Sequence, residues 1–146
     1  MLGQVGDDLD GNSYIEFLAR EGIKTDNITK LSDAPTGQAF IMSMPNGENS
    51  IIINGGANMA YEGQASEVFP NEWRETIAQS SILLLQREVP RFINIEAAKV
   101  AQANNVTVIF DLGGRDDTIT NETISLCDIV SPNETELLRL FATLPQ

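Results

Sequence analysis

The 146-residue sequence contains no histidine. That removes Ser-His-Asp and Cys-His nucleophilic chemistry, together with histidine-ligated zinc. The one cysteine, Cys127, excludes an internal disulfide framework and argues against a thiolate metal cluster. Cationic side chains are scarce: 9 Lys and Arg stand against 21 Asp and Glu, a formal charge of −12. Such a field opposes nucleic acid and anionic membrane as partners. A neutral sugar does not feel it, whereas a nucleotide needs local cations or magnesium to offset it. Long apolar runs are missing too. Runs such as residues 82–85 and 108–110 are far too short to span a bilayer. Residues 1–8 hold no basic region and no signal-like apolar core. The sequons at Asn27, Asn105, Asn121 and Asn133 therefore read as coincidence in an Asn- and Thr-rich chain. The expected compartment is the cytoplasm, with organellar targeting left open because the N-terminus looks incomplete.

What remains is one domain's worth of chain, with 42% hydrophobic residues for a core and 21% charged residues for a surface. Residues 12–21 read as a helix with Ile15, Leu18 and Ala19 on one face and Gly22 as its stop. Residues 38–44 and 48–54 read as extended arms joined by Pro45-Asn46-Gly47, a strong hairpin signal. The second arm carries Ile51, Ile52 and Ile53 in succession, so both of its faces are expected to be covered. Beyond Asn58 the pattern turns α/β. A short helix at 72–78 precedes a strand at 82–85. A helix stripe of Ile93, Ala97, Val100 and Ala101 precedes a strand at 106–110. A loop with Gly113-Gly114 leads to Ile129-Val130 and a final helix. Strand–helix–strand repeats of this length imply a parallel sheet.

The segment Ser131-Pro132-Asn133-Glu134-Thr135-Glu136 lies where a strand runs straight into a helix. One amide and two carboxylates sit beside unpaired backbone N–H groups there. Such a junction can hold phosphate, directly or through magnesium and its waters. Ser131 and Glu134 also have capping-box spacing, with Pro132 at the first helical position. That cap accounts for Ser, Pro and one Glu, and leaves Asn133 and Glu136 over. Glu88, Asp111 and Asn133 each follow a strand end, where α/β sheets bind ligands. Either they share a site, or each caps a helix or bends a turn. Asp8-x-Asp10-x-Asn12 begins like a calcium loop but has Ser13 where glycine is required. No Walker A segment occurs, Gly55-Gly56 reads as a turn, and Trp73 as core or helix surface.

The Asn133-x-x-Glu136 spacing resembles a motif of the ribokinase (PfkB) family of carbohydrate kinases. Further stretches resemble the same family in the same order: Val5-Gly6-Asp7-Asp8 with Gly11, Leu18 to Gly22 with Ile23-Lys24-Thr25, and Thr36-Gly37-Gln38-Ala39. Gly47-Glu48-Asn49 with Gly55-Gly56-Ala57-Asn58 and Leu84-Leu85-Gln86-Arg87-Glu88 follow. The resemblance implies a three-layer α/β fold, a parallel sheet flanked by helices, with a β-hairpin lid. It places the lid at about 27–58 and an α/β core segment at about 72–146. It implies transfer of phosphate from ATP to the primary hydroxyl of D-ribose, with Mg2+. A monovalent cation is left open for the complete enzyme.

Roles carry over residue by residue. Glu88 falls where the family holds a sugar hydroxyl, and a carboxylate can accept from two adjacent hydroxyls. Ala39, Ile41 and Ile53 fall on the lid face over the sugar. Asn133 falls at the nucleotide phosphates and Glu136 at magnesium and its waters. Asp111 departs from the Asn of many bacterial relatives, and Gly113-Gly114-Arg115 from their Pro-rich loop, so these roles are less defined. The resemblance implies a chain cut at both ends: no opening strand with a sugar-binding Asp, no closing Gly-Gly segment, and no Gly-Ala-Gly-Asp loop with the catalytic base. No catalytic residue is therefore expected among these 146 residues, and the isolated chain is expected to be inactive. A homodimer through the hairpin is expected. The alternatives are a non-catalytic sugar-binding or dimerisation module, or a relative acting on fructose, adenosine or another nucleoside.

Overall fold

The computed structural model describes residues 1–63, 68–114 and 119–143. The chain divides into two units, Met1–Glu62 and Gly63–Gln146.

In the first unit β1 (Leu2–Gly6) leads into α1 (Leu9–Arg20). The helix begins three residues before the expected 12, because Asp8 is its cap. Extended at φ −130° and ψ 179°, Asp8 accepts the Gly11 N–H on its carboxylate at 2.8 Å. At the other end the Gly22 N–H bonds the Ala19 carbonyl and the Ile23 N–H bonds that of Leu18, both at 3.0 Å, so Gly22 stops the helix as expected. Gly11 and Leu18 make its buried face, while Ala19 is exposed. β2 (Asn27–Leu31), which the sequence pattern had not marked as a strand, pairs parallel with β1 from Leu2↔Asn27 to Gly6↔Leu31.

β3 (Gln38–Ser43) and β4 (Asn49–Asn54) form the antiparallel hairpin. Its turn closes through Met44 N–H to Glu48 O at 2.8 Å, with Gly47 at φ +85°. Ala39↔Ile53 and Ile41↔Ile51 stack on one face, Phe40↔Ile52 and Met42↔Ser50 on the other. Every residue of both arms is exposed, Ile52 to 61% and Ile53 to 63%. Among the described residues of the first unit, nothing supplies the expected covering of both faces. A 3-10 turn at Gly56–Met59 follows and buries Ala57 completely.

The second unit contains α2 (Asn71–Ala78), β5 (Ile82–Leu85), α3 (Arg91–Ala103), β6 (Thr107–Asp111), α4 (Asn121–Ser125), β7 (Ile129–Ser131) and α5 (Glu134–Thr143). Trp73 of α2 is buried, edge-on to Phe69 with ring centroids 5.8 Å apart. The strands form a parallel sheet in the order β5-β6-β7, with Leu85, Phe110 and Val130 in register. α3 contacts α2, β5 and β6, and its buried residues are Ile93, Asn94, Ala97, Ala98 and Ala101. Val100, expected in that stripe, is only half-buried. α4 was expected as loop; Thr120 caps it by accepting the Thr123 N–H at 3.3 Å. Phe110, Leu112 and Leu140 form a buried cluster against Leu85, Ile124, Cys127 and Val130, which fastens α5 beside the sheet. Burial of each such large side chain is worth about 1.5–3 kcal/mol. The alternate residues Ile82, Leu84 and Ile129 are exposed to 55%, 72% and 52%.

Candidate functional site on the rim of the parallel sheet

Parallel pairing brings the carboxyl ends of β5, β6 and β7 to one edge. Asp111 is the last residue of β6, opposite Ser131 of β7. Glu88 follows β5 by three residues, and Asn133 follows β7 by two. The loops that leave this edge are tied together. The Arg87 guanidinium donates to the Leu112 carbonyl at 3.1 Å. The buried Asn94 amide donates to the Gln86 carbonyl at 2.6 Å. The Leu112 N–H reaches the Ser131 carbonyl at 3.3 Å.

Gly113 and Gly114 are the point on which the carboxylates converge. A Cβ on Gly114 would lie 2.7 Å from Glu88 Oε1, and one on Gly113 would lie 2.9 Å from Asp111 Oδ1 and 3.6 Å from Glu136 Oε1. A side chain at Gly114 would displace the Glu88 carboxylate, and its φ of +94° already selects glycine. The Gly113 N–H donates to Asp111 Oδ1 at 2.8 Å, holding the turn against the strand end. Glu88, Asp111 and Glu136 therefore border one diglycine turn. Arg115 lies outside the described residues. The sequence places the two glycines in a loop that departs from a family pattern; a Gly-Gly pair beginning two residues after a strand-end carboxylate was the available signal.

The junction at β7–α5 corrects one expectation. Ser131 is the last strand residue and the helix starts at Glu134, so Ser131–Glu134 is not the cap and Pro132 is not its first residue. Asn133 and Glu136, the pair that cap left unexplained, are themselves the capping pair. The Glu136 N–H donates to Asn133 Oδ1 at 3.0 Å, and the Asn133 N–H donates to Glu136 Oε2 at 2.8 Å. The Asn133 side-chain amide adds a bond to Glu136 Oε1 at 2.6 Å. Each carboxylate oxygen retains acceptor capacity after these bonds.

Among the described residues no group of three Asp, Glu, Cys or His side chains is close enough to hold a metal directly. Magnesium keeps most of its waters and commonly takes one or two protein carboxylates, so the donor set at this rim fits a water-mediated ion. Ala39, Ile41 and Ile53 share one exposed face of the hairpin, in the first unit. Cys127 takes no part: burial, with Asp128 beside it, pushes its thiol up, and it donates to the Thr123 carbonyl at 3.1 Å.

The chain matches the model of the pfkB family carbohydrate kinases over residues 1–144. It is 42% identical over 141 residues to a ribokinase of Arabidopsis thaliana, covering 95% of this chain and 36% of that protein. It is 37% identical over 132 residues to a ribokinase of Haemophilus influenzae, covering 90% of this chain and 42% of that protein. The solved structure of Arabidopsis thaliana ribokinase complexed with ribose and ATP superposes with a TM-score of 0.86 at 41% identity, covering 97% of this chain and 45% of that one. The chain thus spans less than half the length of these relatives. The α/β fold, with parallel strands flanked by helices, is ribokinase-like. Family model, relatives and fold agree: the chain belongs to the pfkB family of carbohydrate kinases.

Proposed function

We propose that the polypeptide carrying these residues phosphorylates the primary hydroxyl of D-ribose with ATP, and that this chain supplies its sugar- and nucleotide-binding rim. The observation that supports this reading best is the convergence of Glu88, Asp111 and Glu136 on the Gly113–Gly114 turn, with Asn133 locked to Glu136. Relatives described as ribokinases, one solved with ribose and ATP, support the same choice of substrates.

In this reading Glu88 accepts hydrogen bonds from sugar hydroxyls and orients the acceptor. Ala39, Ile41 and Ile53 give the sugar an apolar surface and keep water from its primary hydroxyl. Asn133 contacts nucleotide phosphate. Glu136 holds magnesium through its waters, and Asp111 lends a further oxygen acceptor to the same rim. Magnesium, when bound, offsets phosphate charge that the chain's own net charge of −12 would otherwise repel. Phosphoryl transfer depends on positioning and charge stabilisation, and the residues here serve positioning. The proton acceptor for the hydroxyl is assigned outside these 146 residues, which contain no Gly-Ala-Gly-Asp segment, so the isolated chain should turn over little or no substrate. Functionally the chain divides into a lid hairpin at about 27–58 and an α/β core segment at about 72–146, and a cytoplasmic location suits the reaction.

The test is ADP release by the full-length polypeptide with ribose and MgATP, run beside fructose and adenosine. Release with ribose well above the other two supports the proposal. Release with none of them refutes it; preference for fructose or a nucleoside moves the chain to another branch of the family. The doubly exposed apolar hairpin favours a second reading, a module that binds sugar or pairs with its own copy. Sedimentation over a range of concentrations distinguishes it: a stable dimer with no phosphoryl transfer by the full-length polypeptide would replace the kinase reading. A dimer with transfer fits a kinase that dimerises through its hairpin.

A further inference from the structure

The run Asp8-x-Asp10-x-Asn12 fails as a calcium loop, yet each of its three side chains reaches another segment of the first unit. Asp8 Oδ1 accepts from the Thr36 hydroxyl at 2.6 Å and Oδ2 from the Thr36 N–H at 2.8 Å, while Oδ1 also takes the Gly11 N–H. The Thr36 hydroxyl in turn accepts from the Gly6 N–H at 3.0 Å. Asp10 Oδ2 accepts from the Gln38 amide at 2.5 Å. Asn12 accepts from Lys30 of β2 and donates to the Asp8 carbonyl at 2.7 Å.

Thr36 and Gln38 flank Gly37, at the start of β3. The far end of the hairpin returns to the same place. The Ala57 N–H bonds the Pro35 carbonyl at 2.7 Å, and a Cβ on Gly37 would lie 2.7 Å from the Gly55 carbonyl and 2.8 Å from the Asn58 amide. Gly11 is equally confined: a Cβ there would meet the Gly6 carbonyl and the Thr36 hydroxyl. Both roots of the ribbon therefore cross at one braced point, while both arms beyond it are exposed throughout. The direction of an arm without side support is decided where it is fastened. One attachment lets it swivel; two attachments, at Thr36 and Gln38, fix a direction. Hydrogen bonds to ionised carboxylates are the stronger kind.

We infer that Asp8 and Asp10 are positioning residues: by holding Thr36 and Gln38 they set the pose of the β3–β4 hairpin, and with it the apolar face of Ala39, Ile41 and Ile53. The consequence for sugar binding rests on the function proposed above; the fastening itself does not.

Two measurements on the full-length polypeptide test it. The first is backbone hydrogen exchange without ligand, in Thr36→Val, which keeps the shape but removes the hydroxyl, in Thr36→Ser, which restores it, and in Gln38→Leu at an exposed position. Thr36→Val and Gln38→Leu should each speed exchange across residues 38–54 by about tenfold, with α1 unchanged and Thr36→Ser near wild type. Hairpin exchange within about twofold of wild type in both variants, or an equal rise in α1, overturns the inference. If Thr36→Val does not fold, Gln38→Leu decides alone. The second measurement is the kinetic split. Gln38→Leu should raise the KM for ribose about fivefold and leave that for MgATP unchanged; an equal rise in both overturns it. If the wild type transfers no phosphate, the kinase proposal falls and the exchange result still judges the fastening.

Discussion

Asn133 and Glu136 hold each other from both directions across the first turn of α5. Glu136 takes the Asn133 N–H at 2.8 Å and its side-chain amide at 2.6 Å, and returns its own N–H to Asn133 Oδ1 at 3.0 Å. The bonds satisfy donors that a helix start leaves unpaired and fix both side chains at the strand–helix junction. The same geometry serves a helix and, under the proposed function, would present both side chains to phosphate or magnesium without further ordering. Asn133→Ala should cost about 1 kcal/mol of stability, and the Asn133→Ala/Glu136→Ala pair should cost less than the sum of the singles. Urea unfolding of the four proteins checks this; strictly additive losses would mean the pair does not act as a unit.

The Gly114→Ala substitution should be felt in two ways. A side chain at φ +94° is strained, and its Cβ would press on the Glu88 carboxylate at 2.7 Å. The strain should cost about 1–3 kcal/mol in urea unfolding. Displacing Glu88 should also weaken ribose binding by calorimetry, more than MgATP binding. Normal ribose affinity in the folded variant would separate the diglycine turn from the sugar site.

Asp8 predicts an acid limb in stability. The Thr36 hydroxyl, then the Thr36 N–H and then the Gly11 N–H hold its carboxyl below the ordinary aspartate range, against a smaller opposing effect of desolvation. A lowered carboxyl stabilises the fold fully above the ordinary aspartate range, and loses that contribution as pH falls through the lowered value. Thermal unfolding of wild type and Asp8→Asn should therefore differ near neutrality and converge as the solution is made strongly acidic. A difference that persists unchanged at low pH would contradict the assignment.

How much of this was readable beforehand differs by region. The hairpin was legible because Asn46-Gly47 between two apolar arms specifies both turn and strands, and the structure pairs the two arms antiparallel. The strands β5 and β6 were legible from dense apolar runs. β2 was not: Asn-Ile-Thr-Lys-Leu is half polar, and its strand character comes from pairing with β1 rather than from its own pattern. α4 is five residues long, too short for helical periodicity to register. The cap at α5 was placed two residues early because S-x-x-E and N-x-x-E overlap there, and spacing alone cannot choose between them. The network around Thr36 joins residues 28 positions apart, a separation at which local pattern is silent.

The exposed hairpin makes a prediction about association. Phe40, Met42 and Ile52 form an apolar strip on the ribbon face opposite Ala39, Ile41 and Ile53. If two copies meet through this ribbon, Ile52→Glu places like charges in the contact and should shift sedimentation toward monomer. A variant that sediments like wild type would remove the hairpin from the interface.

The most direct test of the rim is Glu88→Gln in the full-length polypeptide, followed by ADP release at varied ribose and varied MgATP. The substitution keeps the size and removes the charge that, in the proposed function, accepts from sugar hydroxyls. The KM for ribose should rise at least about tenfold, the magnitude of a lost charged hydrogen bond, with the KM for MgATP nearly unchanged. A larger effect on MgATP than on ribose, or none on either, would contradict the account.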